Sequence, residues 1–325
     1  MPNLKDNLIL VTGSAGFIGF HTSRRLLESG ATVIGADNFN DYYDPKLKEA
    51  RNKILESFPN FKLYRGDLSD EAFVAAIFKE NKIDKIIHLA AQAGVRYSLV
   101  NPGAYVKSNL TAFVNMLEAA RHNNIKDFVY ASSSSVYGNN KKVPFAVSDP
   151  VNEPISLYAA TKKADELMAY TYHHLFGLNM TGLRFFTVIG PYGRPDMAPM
   201  LFANAITKGE AIKVFNFGKM RRDFTYIDDI VSGIILALEK AGGYEIFNLG
   251  NNRPIELESF IGLIEKELGK TALKNYQAMQ LGDVLETYAD IEYTKEKLDW
   301  EPKTSPEEAV KLFVKWYQEF YGDKR

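Results

Sequence analysis

The 325-residue sequence predicts an α/β fold built on a doubly wound parallel sheet. Three observations carry that expectation. A strand-length apolar run, Leu8-Ile-Leu-Val-Thr12, leads through spaced glycines into a helical pattern. Strand and helix patterns then alternate to about residue 190. A strand ending in serines, Ser132 to Ser135, is followed by Tyr158-Ala-Ala-Thr-Lys162 at the head of a long amphipathic helix. Alternation of this kind builds βαβ units, whose crossovers make neighbouring strands parallel.

Composition narrows the function. Hydrophobic residues at 46% and charged residues at 24% suit a water-soluble globular chain with a full-sized core. A net charge of -1 supplies no attraction for nucleic acid or an anionic membrane surface. The absence of cysteine excludes disulfides, thiolate metal sites and a thiol nucleophile. Five scattered histidines without a His-Glu-x-x-His pattern argue against a metal centre. No apolar run approaches the roughly 20 residues of a membrane span, and no signal-peptide pattern opens the chain. The expectation is a soluble cytoplasmic protein.

Leu8–Thr12 reads as a buried parallel strand. Behind it, Gly13 allows a tight turn, Gly16 allows close approach of a pyrophosphate, and Gly19 allows the helix Phe17 to Ser29 to pack closely. A glycine trio alone also fits a plain turn, and the spacing is Gly-x-x-Gly-x-x-Gly rather than Gly-x-Gly-x-x-Gly. Its place between a strand and a helix favours a dinucleotide, with Gly13, Ala15, Gly16, Phe17, Ile18 and Gly19 as contacts and the phosphates on the helix N-terminus. The next strand, Thr32 to Ala36, ends at Asp37 beside Asn38. A carboxylate there accepts hydrogen bonds from ribose hydroxyls and repels a 2′-phosphate, pointing to NAD over NADP; a helix cap or loop residue is the alternative.

The alternation continues through Phe61 to Tyr64, Glu71 to Asn81, Lys85 to Leu89, Ala104 to Asn123 and Asp127 to Ala131. Asp67 and Leu68 are placed to meet adenine, and Ala90-Ala91-Gln92 is small enough for the cofactor to cross the sheet edge. His88 reads as a packed strand residue. Tyrosine and lysine four apart share a helix face, and an ammonium beside a phenol favours the phenolate a general base needs. Tyr-x-x-x-Lys also occurs at Tyr42/Lys46, Tyr137/Lys141 and Tyr293/Lys297. Those pairs contain Pro45, contain Gly138-Asn139-Asn140, or lie in a short charged segment, so Tyr158/Lys162 is the candidate.

Thr12-Gly13-x-x-Gly16-x-x-Gly19, Asp67-Leu68, His88-Leu-Ala-Ala91, Ser132 to Gly138 and Tyr158-x-x-x-Lys162 together resemble the extended short-chain dehydrogenase/reductase family. The resemblance implies a Rossmann-type sheet with a smaller, interleaved C-terminal α/β domain for the substrate. It implies Ser133, Tyr158 and Lys162 as the catalytic set, with Lys162 also on the nicotinamide ribose and Asn109 as a supporting residue. It further implies a homodimer formed through the Ala104 and Tyr158 helices. The domains would be 1–186, joined by about 224–250, and 187–325.

In the second half, the strand Leu183 to Phe186 leads into a glycine- and proline-rich loop ending at Met197, where an open α/β sheet binds its ligand. Gly218 to Asp229 sets a basic cluster before a helix; a solvated turn is the bland reading. The planar guanidinium of Arg222 suits a second diphosphate, that of the substrate. Further helices are expected over Tyr226 to Leu238, Glu258 to Leu268 and Pro306 to Tyr321.

Asp37 to Pro45, Ala90 to Ser98, Arg184 to Met197 and Arg222 to Asp229 are similar to the UDP-glucuronate 4-epimerases of that family. Ile189, Tyr192, Asp165 and Leu281 depart from the pattern. Related decarboxylases and dehydratases place a glutamate just before Val-Tyr-Gly, where this chain has Ser135. The similarity therefore implies NAD-dependent C4 epimerisation of a UDP-sugar, UDP-glucuronic acid, through a 4-keto intermediate. Arg96, Ser133, Ser134, Ser135, Thr187, Arg194, Arg222 and Asp283 are the expected substrate contacts, and a structural ion pair is the alternative for the first and sixth. Rival readings are a 4-epimerase of UDP-glucose or UDP-N-acetylglucosamine, a UDP-glucuronate decarboxylase, and a non-catalytic NAD-binding sensor or scaffold. Sensors commonly lack the tyrosine or lysine, and both are present here.

Overall fold

The structure, a computed structural model, describes residues 4–240, 242–279 and 285–322. Its first elements are β1 (Leu8–Thr12), α1 (Phe17–Glu28), β2 (Thr32–Asp37), α2 (Pro45–Leu55), β3 (Phe61–Arg65), α3 (Glu71–Glu80) and β4 (Lys85–His88). Two short turns follow, α4 (Tyr97–Val100) and α5 (Pro102–Tyr105). The second runs through a π-helical turn, Val106–Thr111, into α6 (Ala112–His122). Next come β5 (Asp127–Ser133), α7 (Leu157–Phe176), β6 (Asn179–Phe185), β7 (Thr187–Ile189), α8 (Ala198–Lys208) and β8 (Ala211–Phe215). The remaining strands are β9 (Arg221–Tyr226), β10 (Tyr244–Leu249), β11 (Pro254–Glu256) and β12 (Leu273–Gln277). Between and after them lie α9 (Ile227–Lys240), α10 (Leu257–Leu268), α11 (Glu292–Leu298) and α12 (Pro306–Gly322).

Seven parallel strands hydrogen-bond in the order β3-β2-β1-β4-β5-β6-β10. Growth reverses direction between β1 and β4, so the loops leaving their C-terminal ends part and open a crevice. Alternate strand residues feed two cores. Ile9, Val11, Val33, Ile87 and Val129 face one, with α1 and α9. Leu10, Ile34, Ile86, Phe128 and Met180 face the other, with α3, α6 and α7. That period of two, apolar on both sides, is why these strands read as unbroken hydrophobic runs.

The helix that matters most, α7, is set by its ends. Ser156 Oγ accepts the Ala159 N–H at 3.1 Å, and Gly177 closes the helix in the left-handed region at φ 66°. The cap places Tyr158 in the first turn, beside the end of β5. The single helix expected over Ala104 to Asn123 is instead interrupted by the π turn, which inserts a residue without changing the apolar pattern. The helix α2 lay hidden in a charged stretch, and it starts on Pro45 behind the Asp44 cap.

The smaller layer contains β7, β9 and β11 in one sheet and β8 paired with β12. Phe224 of β9 stacks on Phe260 of α10 with ring centroids 4.0 Å apart. The buried Asp223 carboxylate accepts the N–H groups of Asn251 at 2.7 Å, Asn252 at 3.1 Å and Ala289 at 3.0 Å, and so ties three segments together.

Candidate active site

One long cavity runs along the crevice, and its first half is a nucleotide cradle. Gly13 has φ +68°, and a Cβ on Gly19 would lie 2.0 Å from the Gly13 carbonyl oxygen. The close contact is thus made to the glycine loop itself, a tighter reason for Gly19 than packing on the strand. Gly16 begins α1 with no side-chain cap, and no acidic residue stands in the first turn. Those N–H groups and the helix dipole are open to an anion. Gly13, Gly16, Phe17, Ile18 and Gly19 line the cavity, while Ala15 lies behind it. Its N–H donates to Asp37 Oδ2 at 3.1 Å, and Phe39 N–H donates to Oδ1 at 2.8 Å. The Asp37 carboxylate is thereby aimed into the cavity beside Asn38.

Asp67, Leu68, Ala90, Ala91 and Gln92 line the next stretch. Burial pushes the Asp67 carboxyl up, but Lys107 at 2.8 Å and the Ser69 donors outweigh it and hold it below its ordinary range. Thr12 is a residue the sequence reading missed. Its Oγ1 accepts the N–H groups of Leu89 and Ala90, both at 3.1 Å, and meets His88 Nδ1 at 2.9 Å. His88 is packed, as expected: burial and then Lys162 lower it to about 3.

The strand end of β5 sorts the serines. Ser132 borders the cavity too, but its hydroxyl is committed to Glu166 Oε1, to which it donates at 2.7 Å. Ser133, Ser134 and Ser135 line the cavity with Tyr158 and Lys162. Ser133 Oγ accepts the Ser135 N–H at 3.1 Å. Lys162 Nζ donates to the buried Asp165 Oδ2 at 3.0 Å. Burial raises the Asp165 carboxyl to about 6, although Lys162 opposes the shift. Glu166 holds Arg184 through Nε at 2.8 Å and Nη2 at 3.0 Å, which fixes α7 against β6. Asn109 does not line the cavity. From the π turn its Oδ1 accepts the Gln92 N–H at 2.8 Å, and its Nδ2 donates to Gln92 O at 3.1 Å and Thr161 Oγ1 at 2.9 Å.

On the far side, Thr187 and Arg194 line the cavity. Arg194 is also in the ion pair foreseen as its alternative, donating from Nε at 3.0 Å and Nη2 at 2.5 Å to Asp196. Burial alone would lower the guanidinium pKa; the Asp196 carboxylate reverses this and raises it. Arg96 and Arg222 are not among the lining residues. Arg96 lies over the Phe215 ring, 5.1 Å from its centroid. Arg222 donates to the carbonyls of Arg221 at 2.9 Å and Leu285 at 3.2 Å. Asp283 and Leu281 lie outside the described residues. Asn40, Tyr42 and Lys48 also line the cavity. The Asp37 to Pro45 stretch carried the signal for the first two. Lys48 is buried against Asn40 at 2.7 and 2.8 Å, and burial lowers its pKa.

A switch-point crevice, an open helix N-terminus, a strand-end carboxylate and a Tyr158–Lys162 helix face define a nicotinamide-nucleotide-dependent enzyme acting at a carbinol carbon. Residues 9–250 match the NAD dependent epimerase/dehydratase family, and the chain belongs to that family. An uncharacterised protein of Methanocaldococcus jannaschii is 54% identical over 97% of this chain and 98% of its own length. UDP-glucuronate 4-epimerase 4 of Arabidopsis thaliana is 48% identical over 98% of this chain and 77% of its own length. The crystal structure of UDP-glucuronic acid 4-epimerase from Bacillus cereus, in complex with UDP-glucuronic acid and NAD, superposes with a TM-score of 0.90 at 33% identity. That match covers 97% of this chain and all of the other.

Proposed function

We propose that the protein interconverts UDP-glucuronic acid and UDP-galacturonic acid by inverting C4 through a transient 4-keto sugar. One observation carries the reading: the Tyr158–Lys162 pair shares its cavity with hydroxyls at Ser133, Ser134, Ser135 and Thr187 and with Arg194, and Ser135 stands where an eliminating enzyme would need a carboxylate. The cradle fits NAD, held by Gly13, Gly16, Asp37 and Lys162. When bound, NAD supplies a reversible hydride acceptor. Tyr158 takes the C4 hydroxyl proton and later returns it, with Ser133 holding the same oxygen. The ketose turns about its diphosphate link between the two events. The serine and threonine hydroxyls hold the sugar carboxylate away from the alignment that loss of carbon dioxide requires.

The same proposal assigns Arg222 and Asp283 to the UDP part of the substrate. It places the nucleotide-binding part at 1–186 with about 224–250, and the sugar-binding part at 187–325. It includes a cytoplasmic location and a homodimer; the exposed apolar side chains Val106, Val114, Leu167, Tyr170 and Leu175 on the α5–α6 and α7 helices support the dimer. The test is a proton NMR time course with UDP-glucuronic acid and no added cofactor. A UDP-galacturonic acid anomeric signal rising to a steady ratio is the expected result. Release of a UDP-pentose, or conversion confined to neutral UDP-sugars, overturns the assignment.

A further inference from the structure

Three loops that leave separate strands of the crevice meet at Gly94. They are the β2–α2 loop with Tyr42, the loop after β4, and the β7–α8 loop with Arg194 and Asp196. Gly94 has φ +103°, and a Cβ there would lie 2.8 Å from Tyr42 Oη and 3.8 Å from Arg194 Nη2. The positive φ strains any side chain at that position, and a Cβ would push the Tyr42 hydroxyl aside. Across it, the Tyr42 hydroxyl donates to Asp196 Oδ2 at 3.0 Å, while Arg194 grips both oxygens of the same carboxylate. Tyr42 is itself braced by Tyr97, with ring centroids 4.7 Å apart. Arg194 and Tyr42 line the cavity; Asp196 stands behind them.

The chemistry of this arrangement is directional. A guanidinium presents its five N–H groups in a rigid plane. Asp196 holds the Nε–Nη2 edge, which fixes the plane, and among the described residues the Nη1 amino group makes no hydrogen bond and is left for a ligand. Asp196 is held from two sides, by the Arg194 fork and by the Tyr42 O–H, and Tyr42 also interacts directly with Arg194, so the guanidinium plane is locked with its remaining edge toward a ligand anion. Arg194 is close enough to Tyr158 for their charges to interact, so that anion belongs to the reacting end of the substrate rather than to its diphosphate.

We propose that Tyr42 and Asp196 are positioning residues that orient Arg194 toward the carboxylate of a uronic-acid sugar and so set the preference for it over the neutral hexose. The inference rests on the epimerase reading above but is measured by binding rather than by turnover.

The experiment is calorimetric titration of the NAD-loaded protein with UDP-glucuronic acid and with UDP-glucose, for the wild type, Y42F, R194K and the double variant. R194K keeps the charge and loses the fork. Y42F is expected to lower the UDP-glucuronic acid to UDP-glucose affinity ratio about 3–10-fold, the range of one net hydrogen bond. In the R194K background the same change is expected to add less than about twofold, because the residue it positions is gone. A purely structural role would weaken both ligands alike and act equally in both backgrounds; either result overturns the proposal. A wild type without acid preference overturns it too. Failure of the epimerase reading shows separately, as absent conversion in the NMR time course while the affinity ratios still decide the role of Tyr42.

Discussion

Asn109→Ala perturbs the point where α7 and the loop after β4 are held together. Asn109 is 1% exposed and satisfies both backbone groups of Gln92 and the Thr161 hydroxyl. Alanine offers none of these partners. The Gln92 N–H, bonded at 2.8 Å in the native protein, loses its acceptor while buried, at about 1–3 kcal/mol. The Gln92 carbonyl loses one donor. Thr161 still donates to Tyr158 O at 2.8 Å, so its loss is smaller. The total expected is about 2–5 kcal/mol. Guanidinium unfolding of the NAD-loaded protein, followed by circular dichroism, reads this as a lower midpoint at unchanged slope. Thr161→Val should cost about 1 kcal/mol alone and less in the Asn109→Ala background, since the shared bond is already gone. A loss below about 1 kcal/mol for Asn109→Ala would mean that the clamp is not what orders the loop, and the structural argument for Asn109 fails.

Tyr158→Phe should reduce kcat about 10²–10⁴-fold while NAD still co-purifies; near-normal turnover in the NMR assay removes Tyr158 from proton transfer. Arg184→Met should cost about 3 kcal/mol, the lower end for a broken buried pair, because Glu166 loses its bidentate partner and keeps only Lys163 and Ser132, whereas Arg184→Met with Glu166→Met should recover much of that loss. A double variant no more stable than the single one, by denaturation midpoint, contradicts the account. Asp165 supplies a pH test. Its folded value near 6 stands above the ordinary 3.8, so the native chain binds the extra proton between those values. This group therefore favours folding below the window, and that contribution is lost as pH rises through about 6. At about 1.4 kcal/mol per unit, the stability of wild type minus Asp165→Asn should fall by about 3 kcal/mol across the window and stay level above it. Leaving Lys162 without its counter-charge adds a constant offset, so the slope is the quantity to read; a level difference throughout refutes the shifted carboxyl.

Local features determined much of this protein. A strand buried on both faces needs a run such as Leu8–Thr12. A phosphate cradle needs glycines where a Cβ would strike backbone. A helix that opens with Ser156 must place Tyr158 and Lys162 on one face. Each of these is a short-range requirement, so each is legible in neighbouring residues. Pairings over long sequence separations were not. Four serines in a row look alike until the fold commits the Ser132 hydroxyl to Glu166, although all four residues border the cavity. The π turn that carries Asn109 leaves no mark on hydrophobic periodicity, because its extra residue is absorbed in one turn. Whether Arg194 is an ion-pair partner or a cavity residue was undecidable from its loop; it is both, since Asp196 holds one edge and Tyr42, 154 residues away, holds Asp196. Charge, burial and hydrogen-bond direction at a site are sums over residues that only the folded chain brings together. The sequence therefore names the reactive groups, and the tertiary structure decides which way each one faces.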